Sequence, residues 1–175
     1  MSATPPDRTE IIRATEADLP VIVELAGVIW RACYPAIISH AQIDYMLARM
    51  YALGTLSEEI RSQSVRYDLL LVDGKPAGFA SYGPASEPGA MKLHKLYLLP
   101  ELHGRGLGGQ LLQHCEREAR AGGARRLILS VNKRNAQAIA AYRRNGFVIA
   151  ESVVTDIGGG FVMDDYVMAK SVSKK

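Results

Sequence analysis

The chain has little of what would mark a specialised environment. Among its 175 residues are two cysteines, Cys33 and Cys115. Both fall on apolar helical stripes and read as core thiols, so neither a disulfide nor a metal site is expected. Charge of one sign is nearly lacking: 21 Lys and Arg against 18 Asp and Glu leave +3, scattered along the chain. That is too little to argue for a nucleic-acid partner. No apolar run is long enough to span a bilayer, so no membrane partner is expected. No secretory leader is visible either, because Met1 to Arg8 is polar and contains prolines. The expectation is a flexible tail at residues 1–9 and a cytoplasmic location. Repeats, linkers and low-complexity segments are absent. An ordinary globular composition remains, with one domain over 10–170 and a short tail at 171–175.

What is present is a run of glycines in a telling place. His103-Gly104-Arg105-Gly106-Leu107-Gly108-Gly109 follows a strand-like run, Met91 to Leu98, that ends at Pro100. An amphipathic helix comes next. Backbone N–H groups at a helix N-terminus favour an anion, and glycines let it approach closely. The expected ligand carries phosphates. Gly104-x-Gly106-x-x-Gly109 fits a dinucleotide fingerprint literally. That fingerprint also needs the loop to leave its strand directly and an acidic residue about twenty positions on. Here Pro100-Glu101-Leu102 intervenes, and Leu127-Ile128-Leu129-Ser130 carries no carboxylate. A Walker loop is excluded because no Lys-Ser or Lys-Thr follows the glycines. Two readings stay open at this point: a loop for the pyrophosphate of an acyl-CoA, and a plain strand-to-helix turn with spare glycines.

The residues beyond the loop extend the pattern. Leu107, Leu111, Leu112, Cys115 and Ala119 repeat at helical spacing, and Gly122-Gly123 stops that helix. Leu127 to Val131 reads as a buried strand. Strand, helix, strand implies a right-handed parallel crossover. Asn132-Lys133-Arg134-Asn135 then opens a second helix, closed by Asn145-Gly146, with Asn135, Ala138 and Tyr142 on one face. Upstream, Glu10 to Arg13 reads as a strand and Thr15-Glu16-Ala17-Asp18 as a capping signal. Helix faces follow at Leu19 to Ile29 and, after a Ser39 cap, at Ile43 to Met50. Ser57 to Ile60 suggests a third short helix. Leu69 to Val72 and Ala77 to Tyr82 make a hairpin around Asp73-Gly74. Val148 to Ile157 and Phe161 to Ala169 make another through Gly158-Gly159-Gly160. The order predicts an α/β fold (α+β in its mixed sheet) of about seven strands with helices on both faces.

Met91 to Phe147 resembles the core of the GNAT superfamily of acyl-CoA-dependent N-acyltransferases. The resemblance rests on Leu96-Tyr97-Leu98-Leu99-Pro100, on the His103 to Gly109 loop, and on Asn135-x-x-Ala138-x-x-x-Tyr142-x-x-x-Gly146-Phe147. The family's loop usually opens with Gln or Arg; His103 stands here and can still donate a hydrogen bond. The resemblance implies a GNAT-like fold with acetyl-CoA wedged between the two parallel strands that flank the loop helix. It assigns the pyrophosphate to the backbone of His103, Gly104, Arg105, Gly106, Leu107, Gly108 and Gly109. Asn135 and Ala138 would face the pantetheine arm, unless Asn135 serves only as a helix cap. Lys133, Arg134, Arg143 and Arg144 are options for the outer phosphate, with a solvated helix face as the alternative.

Acyl transfer to an amine requires a polarised carbonyl, a deprotonated amine and a stabilised leaving thiolate. The resemblance implies that backbone N–H groups at Leu96, Tyr97 and Leu98, at a bulge there, polarise the carbonyl. Tyr142 is the candidate acid, since a phenol of pKa about 10 stays protonated near neutrality. The strand before the loop lacks a glutamate. His94 is its one ordinary base, and Glu87 on a loop or a water chain are alternatives. The acceptor pocket is expected from Trp30, Tyr34, Tyr45 and Tyr51 and from Asp164-Asp165-Tyr166. An aromatic, acidic lining would suit a cationic, polyamine-like small-molecule amine. A protein amine, or a non-catalytic acyl-CoA-binding regulatory module, are the other readings. Homodimerisation, common in the family, has no defensible interface in the sequence.

Overall fold

Asp73 and Gly74 both take positive φ, 50° and 76°, the geometry of a two-residue hairpin turn whose twist matches its strands. That turn joins β2 (Arg66–Val72) to β3 (Lys75–Pro84). With β1 (Thr9–Arg13), β4 (Ala90–Leu98), β5 (Arg126–Asn132), β6 (Val148–Gly158) and β7 (Phe161–Ser171) they form one sheet, in the order β1-β2-β3-β4-β5-β7-β6. This computed structural model describes residues 8–173. The expected tails therefore lie mostly outside the described residues. The last strand continues past residue 170, because Val172 is 1% exposed and its N–H bonds the carbonyl of Arg125 at 2.9 Å.

Five helices cover the sheet: α1 (Leu19–Cys33), α2 (His40–Met50), α3 (Leu53–Arg61), α4 (Leu107–Ala121) and α5 (Ala136–Arg144). Before α1, the Thr15 N–H donates to the Asp18 carboxylate at 2.8 Å. Ahead of α2, Ser39 Oγ accepts from the Gln42 N–H at 3.1 Å. Both ends follow from capping chemistry legible in sequence. Helix α3 starts four residues before the expected Ser57, with Leu56 fully buried as its anchor. On one sheet face, Ile22, Ile29, Trp30, Ile43 and Leu56 pack with Phe79. On the other, Leu111, Leu112, Cys115 and Ile139 pack with Leu129 and Met168. Under α4 lies a polar knot. Asp68, 1% exposed, accepts from Arg13 Nε at 2.6 Å and from the Tyr82 hydroxyl at 2.5 Å, with His114 Nε2 at 2.7 Å.

Two irregularities place the functional site. Among the described residues the only parallel pairing, β4 with β5, runs from Ala90↔Arg126 to Leu93↔Leu129 and stops. Beyond it β4 stays paired with β3 as far as Leu98, and β5 with β7 as far as Asn132. The two strands thus part into a fork whose inner edges have no strand partner. At the crotch, Ser81 pairs with Lys95 while Tyr82 pairs with Leu93, so His94 is an extra, bulged residue. A bulge bends its strand and raises the local twist. It sits upstream of the Leu96 to Leu98 position expected from the sequence. Its effect on side-chain direction is visible. Met91 and Leu93, then Leu96 and Leu98, face α4, whereas Lys95 and Tyr97 are turned to the opposite face.

Candidate active site

The glycine loop opens directly from the fork. Gly104 and Gly106 both have φ of 78°, a left-handed conformation that an L side chain adopts only with strain. They turn the chain so that α4 begins at Leu107. The first intrahelical bond of α4 is Gln110 N–H to Gly106 C=O at 3.1 Å. The N–H groups of Leu107, Gly108 and Gly109 are therefore outside the helical ladder and point forward with the positive end of the dipole. A Cβ placed on Gly104, Gly106, Gly108 or Gly109 would meet no atom within 4 Å. This open cradle of amides fits a diphosphate. Arg105 is exposed on the same loop. His103 is committed elsewhere: its Nε2 donates to the Leu98 carbonyl at 2.9 Å, tying the loop to the strand end. The ring thus acts as a strut, and its backbone stays in the loop.

The fork itself offers the inner main-chain edge of Leu96, Tyr97 and Leu98 opposite Ser130 to Asn132. An extended chain carrying amides, such as a pantetheine arm, fits between two such edges. Helix α5 closes one side. Asn135 is its cap, with Oδ1 accepting from the Ala138 N–H at 3.2 Å, so the capping alternative holds for that oxygen. Tyr142 packs edge-on to Phe147 at 5.7 Å. Burial, then the neighbouring Tyr34 and Cys115, push its phenol above the ordinary tyrosine range. Tyr34 and Tyr142 likewise raise Tyr97, after burial. Three phenols, from the residue that caps α1, from β4 and from α5, thus come together at the fork.

The expected acceptor lining divides. Tyr34 stays partly exposed and stacks on Trp30 at 4.6 Å. Trp30 is only 1% exposed and Tyr51 4%; both are core, because the sheet face and α1 to α3 close over them. Tyr45 spends its hydroxyl on the Ile157 carbonyl at 2.7 Å and on Arg49 at 2.6 Å, fastening the β6–β7 turn to α2. Asp164 is exposed and ion-paired with Lys133. Strand alternation turns Asp165 the other way, where its Oδ1 is buried without a hydrogen-bond partner. The neighbouring aspartate, not Asp164, faces the Tyr34 side. Arg134 donates to the carbonyls of Ile37 at 2.7 Å and Ala36 at 3.1 Å, which ties it to the segment after α1. Arg143 and Arg144 are exposed on α5.

Beside the bulge lies a cleft of about 450 Å³ lined by Arg49, Glu59, Lys92, His94, Lys95 and Ser130, among others. His94 is exposed as a residue, but its ring lies in this cleft. Partial desolvation first, then Lys92 and Lys95, push it down to about 4. A neutral imidazole with so acidic a conjugate acid accepts protons weakly at pH 7. Glu87 is paired with Arg126 at 2.6 Å before the start of β4, at the far end of that strand from the fork. Lys95 is 6% exposed and donates to the Tyr67 hydroxyl at 2.6 Å, and Tyr67 donates to Glu59 at 2.5 Å. Sequence reasoning missed Arg49, Glu59, Lys92 and Lys95. They come from α2, α3 and β4, and no local spacing links them.

A bulged strand, a fork and a glycine-capped helix define an acyl-CoA-type acyltransferase scaffold. The chain belongs to the acetyltransferase (GNAT) family, whose model matches residues 27–147. It is 29% identical over 160 residues to a spermidine N(1)-acetyltransferase of Thermoplasma acidophilum, covering 89% of this chain and 95% of that one. A crystal structure of an N-acetyltransferase from the same organism, in complex with coenzyme A, superposes with a TM-score of 0.81 at 26% identity, over 94% of this chain and 99% of that chain. The ribosomal-protein-S18-alanine N-acetyltransferase of Escherichia coli shares the fold, with a TM-score of 0.71 at 22% identity over 96% of each chain. Among the described residues no helix is long and apolar enough to cross a membrane.

Proposed function

We propose that the chain transfers the acetyl group of acetyl-CoA to a primary amine of a small molecule by direct attack. The observation that carries this reading is the continuity of the fork with the amide cradle at α4. When bound, acetyl-CoA supplies an activated thioester. The amides of Leu107 to Gly109 hold the diphosphate, and the inner edges of β4 and β5 hold the pantetheine arm. Main-chain N–H groups freed by the parting of the strands polarise the carbonyl at the fork. Tyr142 keeps its proton, because burial raises its pKa, and holds it where the thiolate departs. The amine loses its proton to solvent at the fork. The relative that acetylates spermidine supports a polyamine-like acceptor; the cations of the cleft support one of the opposite charge.

The test is thiol release from acetyl-CoA across polyamines, amino acids, aminoglycosides and peptides. The expected result is release that depends on an acceptor and saturates with it. Coenzyme A binding with no release for any amine would instead mean a non-catalytic acyl-CoA-binding module.

A further inference from the structure

We infer that the acceptor is an amine that also carries an anionic group, a carboxylate in the first instance, and that Arg49 and Lys92 bind that group. This rests on the N-acetyltransferase reading above and specifies the substrate class of the same site. The charges in the cleft are unequal. Lys95 is accounted for, since it is buried against Tyr67 with Glu59 at 3.9 Å. Among the described residues Glu59 is the only carboxylate in the lining, and it is occupied by that pair of neighbours. Arg49 and Lys92 have no carboxylate within 4.0 Å among the described residues.

Arg49 is also held in place. Its Nη1 donates to the Tyr45 hydroxyl at 2.6 Å and its guanidinium lies over the Tyr45 ring at 5.4 Å. Tyr45 in turn is fixed to the Ile157 carbonyl. A guanidinium fixed at one corner presents its remaining donors to a planar anion. Lys92 comes from the strand on which the fork begins, one residue before the last parallel pair. The carbonyl-polarising end of the site and Lys92 therefore share strand β4.

The other pole is at the fork. Asp165 presents a buried oxygen with no hydrogen-bond partner, close enough to interact electrostatically with Tyr34 on one side and with Lys92 on the other. An amine placed there leaves a carboxylate to reach toward Arg49 and Lys92. A polyamine in the same orientation would bring a second ammonium toward Arg49 and Lys92, which is unfavourable. The cleft of about 450 Å³ suits a compact acceptor.

The experiment compares matched pairs in the thiol-release assay with the whole chain: amino acids against their carboxamides, with spermidine and putrescine beside them. Coenzyme A affinity is measured in parallel by calorimetry. The expected result is a preference of at least about tenfold in kcat/KM for the acids, the scale of one charge-assisted contact. Arg49→Gln and Lys92→Gln should each remove most of that preference through KM, leaving the carboxamide rate and coenzyme A affinity unchanged. Equal or better turnover of carboxamides or polyamines overturns the inference while keeping the acetyltransferase reading. So does a preference for acids that both variants retain, or coenzyme A binding without turnover of any acid. A chain that binds no coenzyme A overturns both.

Discussion

Removing one oxygen from Tyr142 separates chemistry from folding. Its ring packs on Phe147 at 5.7 Å, and its hydroxyl makes no hydrogen bond within 3.5 Å among the described residues. Tyr142→Phe keeps the ring and its contacts. The change in unfolding free energy should stay within about 0.5 kcal/mol, because no partner is stranded. A positioned acid contributes about 10²- to 10⁴-fold to rate, so kcat should fall by that factor, about 3–5 kcal/mol of barrier. The phenol acts only as the thiolate leaves, so KM and coenzyme A affinity should hold. Burial raises the phenol's pKa, so the folded enzyme keeps its acid as the pH rises. The wild-type kcat should show no alkaline fall below about pH 10, the ordinary tyrosine value. Steady-state thiol release for wild type and variant, beside urea unfolding of each, reads all of these. A variant whose kcat lies within about threefold of wild type, less than 1 kcal/mol of barrier, refutes the assignment.

Three further outcomes follow from other parts of the molecule. Gly108→Glu should stabilise the chain by about 1 kcal/mol, through helix propensity and the dipole. It should also weaken coenzyme A binding by at least about tenfold, since a carboxylate then sits in the cradle; unchanged binding by calorimetry would count against the cradle. Asp68→Ala removes the buried acceptor shared by Arg13, Tyr82 and His114 under α4 and should cost about 3 kcal/mol in urea unfolding, whereas a loss below about 1 kcal/mol would make the knot incidental. His94 is held down to about 4 in the fold, against about 6.5 in an unfolded chain. The unfolded chain thus binds more protons between those values, and stability falls as pH drops across that window. His94→Gln should flatten that part of the stability profile; an unchanged slope would show that the imidazole is not desolvated.

Sequence alone determined what is decided within a few residues. Glycines at 104 and 106 needed positive φ whatever packed around them. Ser39 and Asn135 capped their helices through contacts three residues away, and the apolar stripe of α4 matched its burial. The strand–loop–helix core and its family followed from such local rules. Tertiary structure decided everything that depends on which distant segment lies alongside. The parallel pairing ends at Leu93 because β4 and β5 then follow different neighbours, and that ending makes the fork. Asp164 and Asp165 are equivalent in composition, yet a register set by β5 and β6 sends them to opposite faces. Trp30 has the chemistry of a binding residue but is sealed by helices from other parts of the chain. Arg49, Glu59 and Lys92 become one cleft only when α2, α3 and β4 meet. Caps and turns are fixed by nearest-neighbour sterics and hydrogen bonds, whereas burial, strand facing and the assembly of charge are properties of the packed whole.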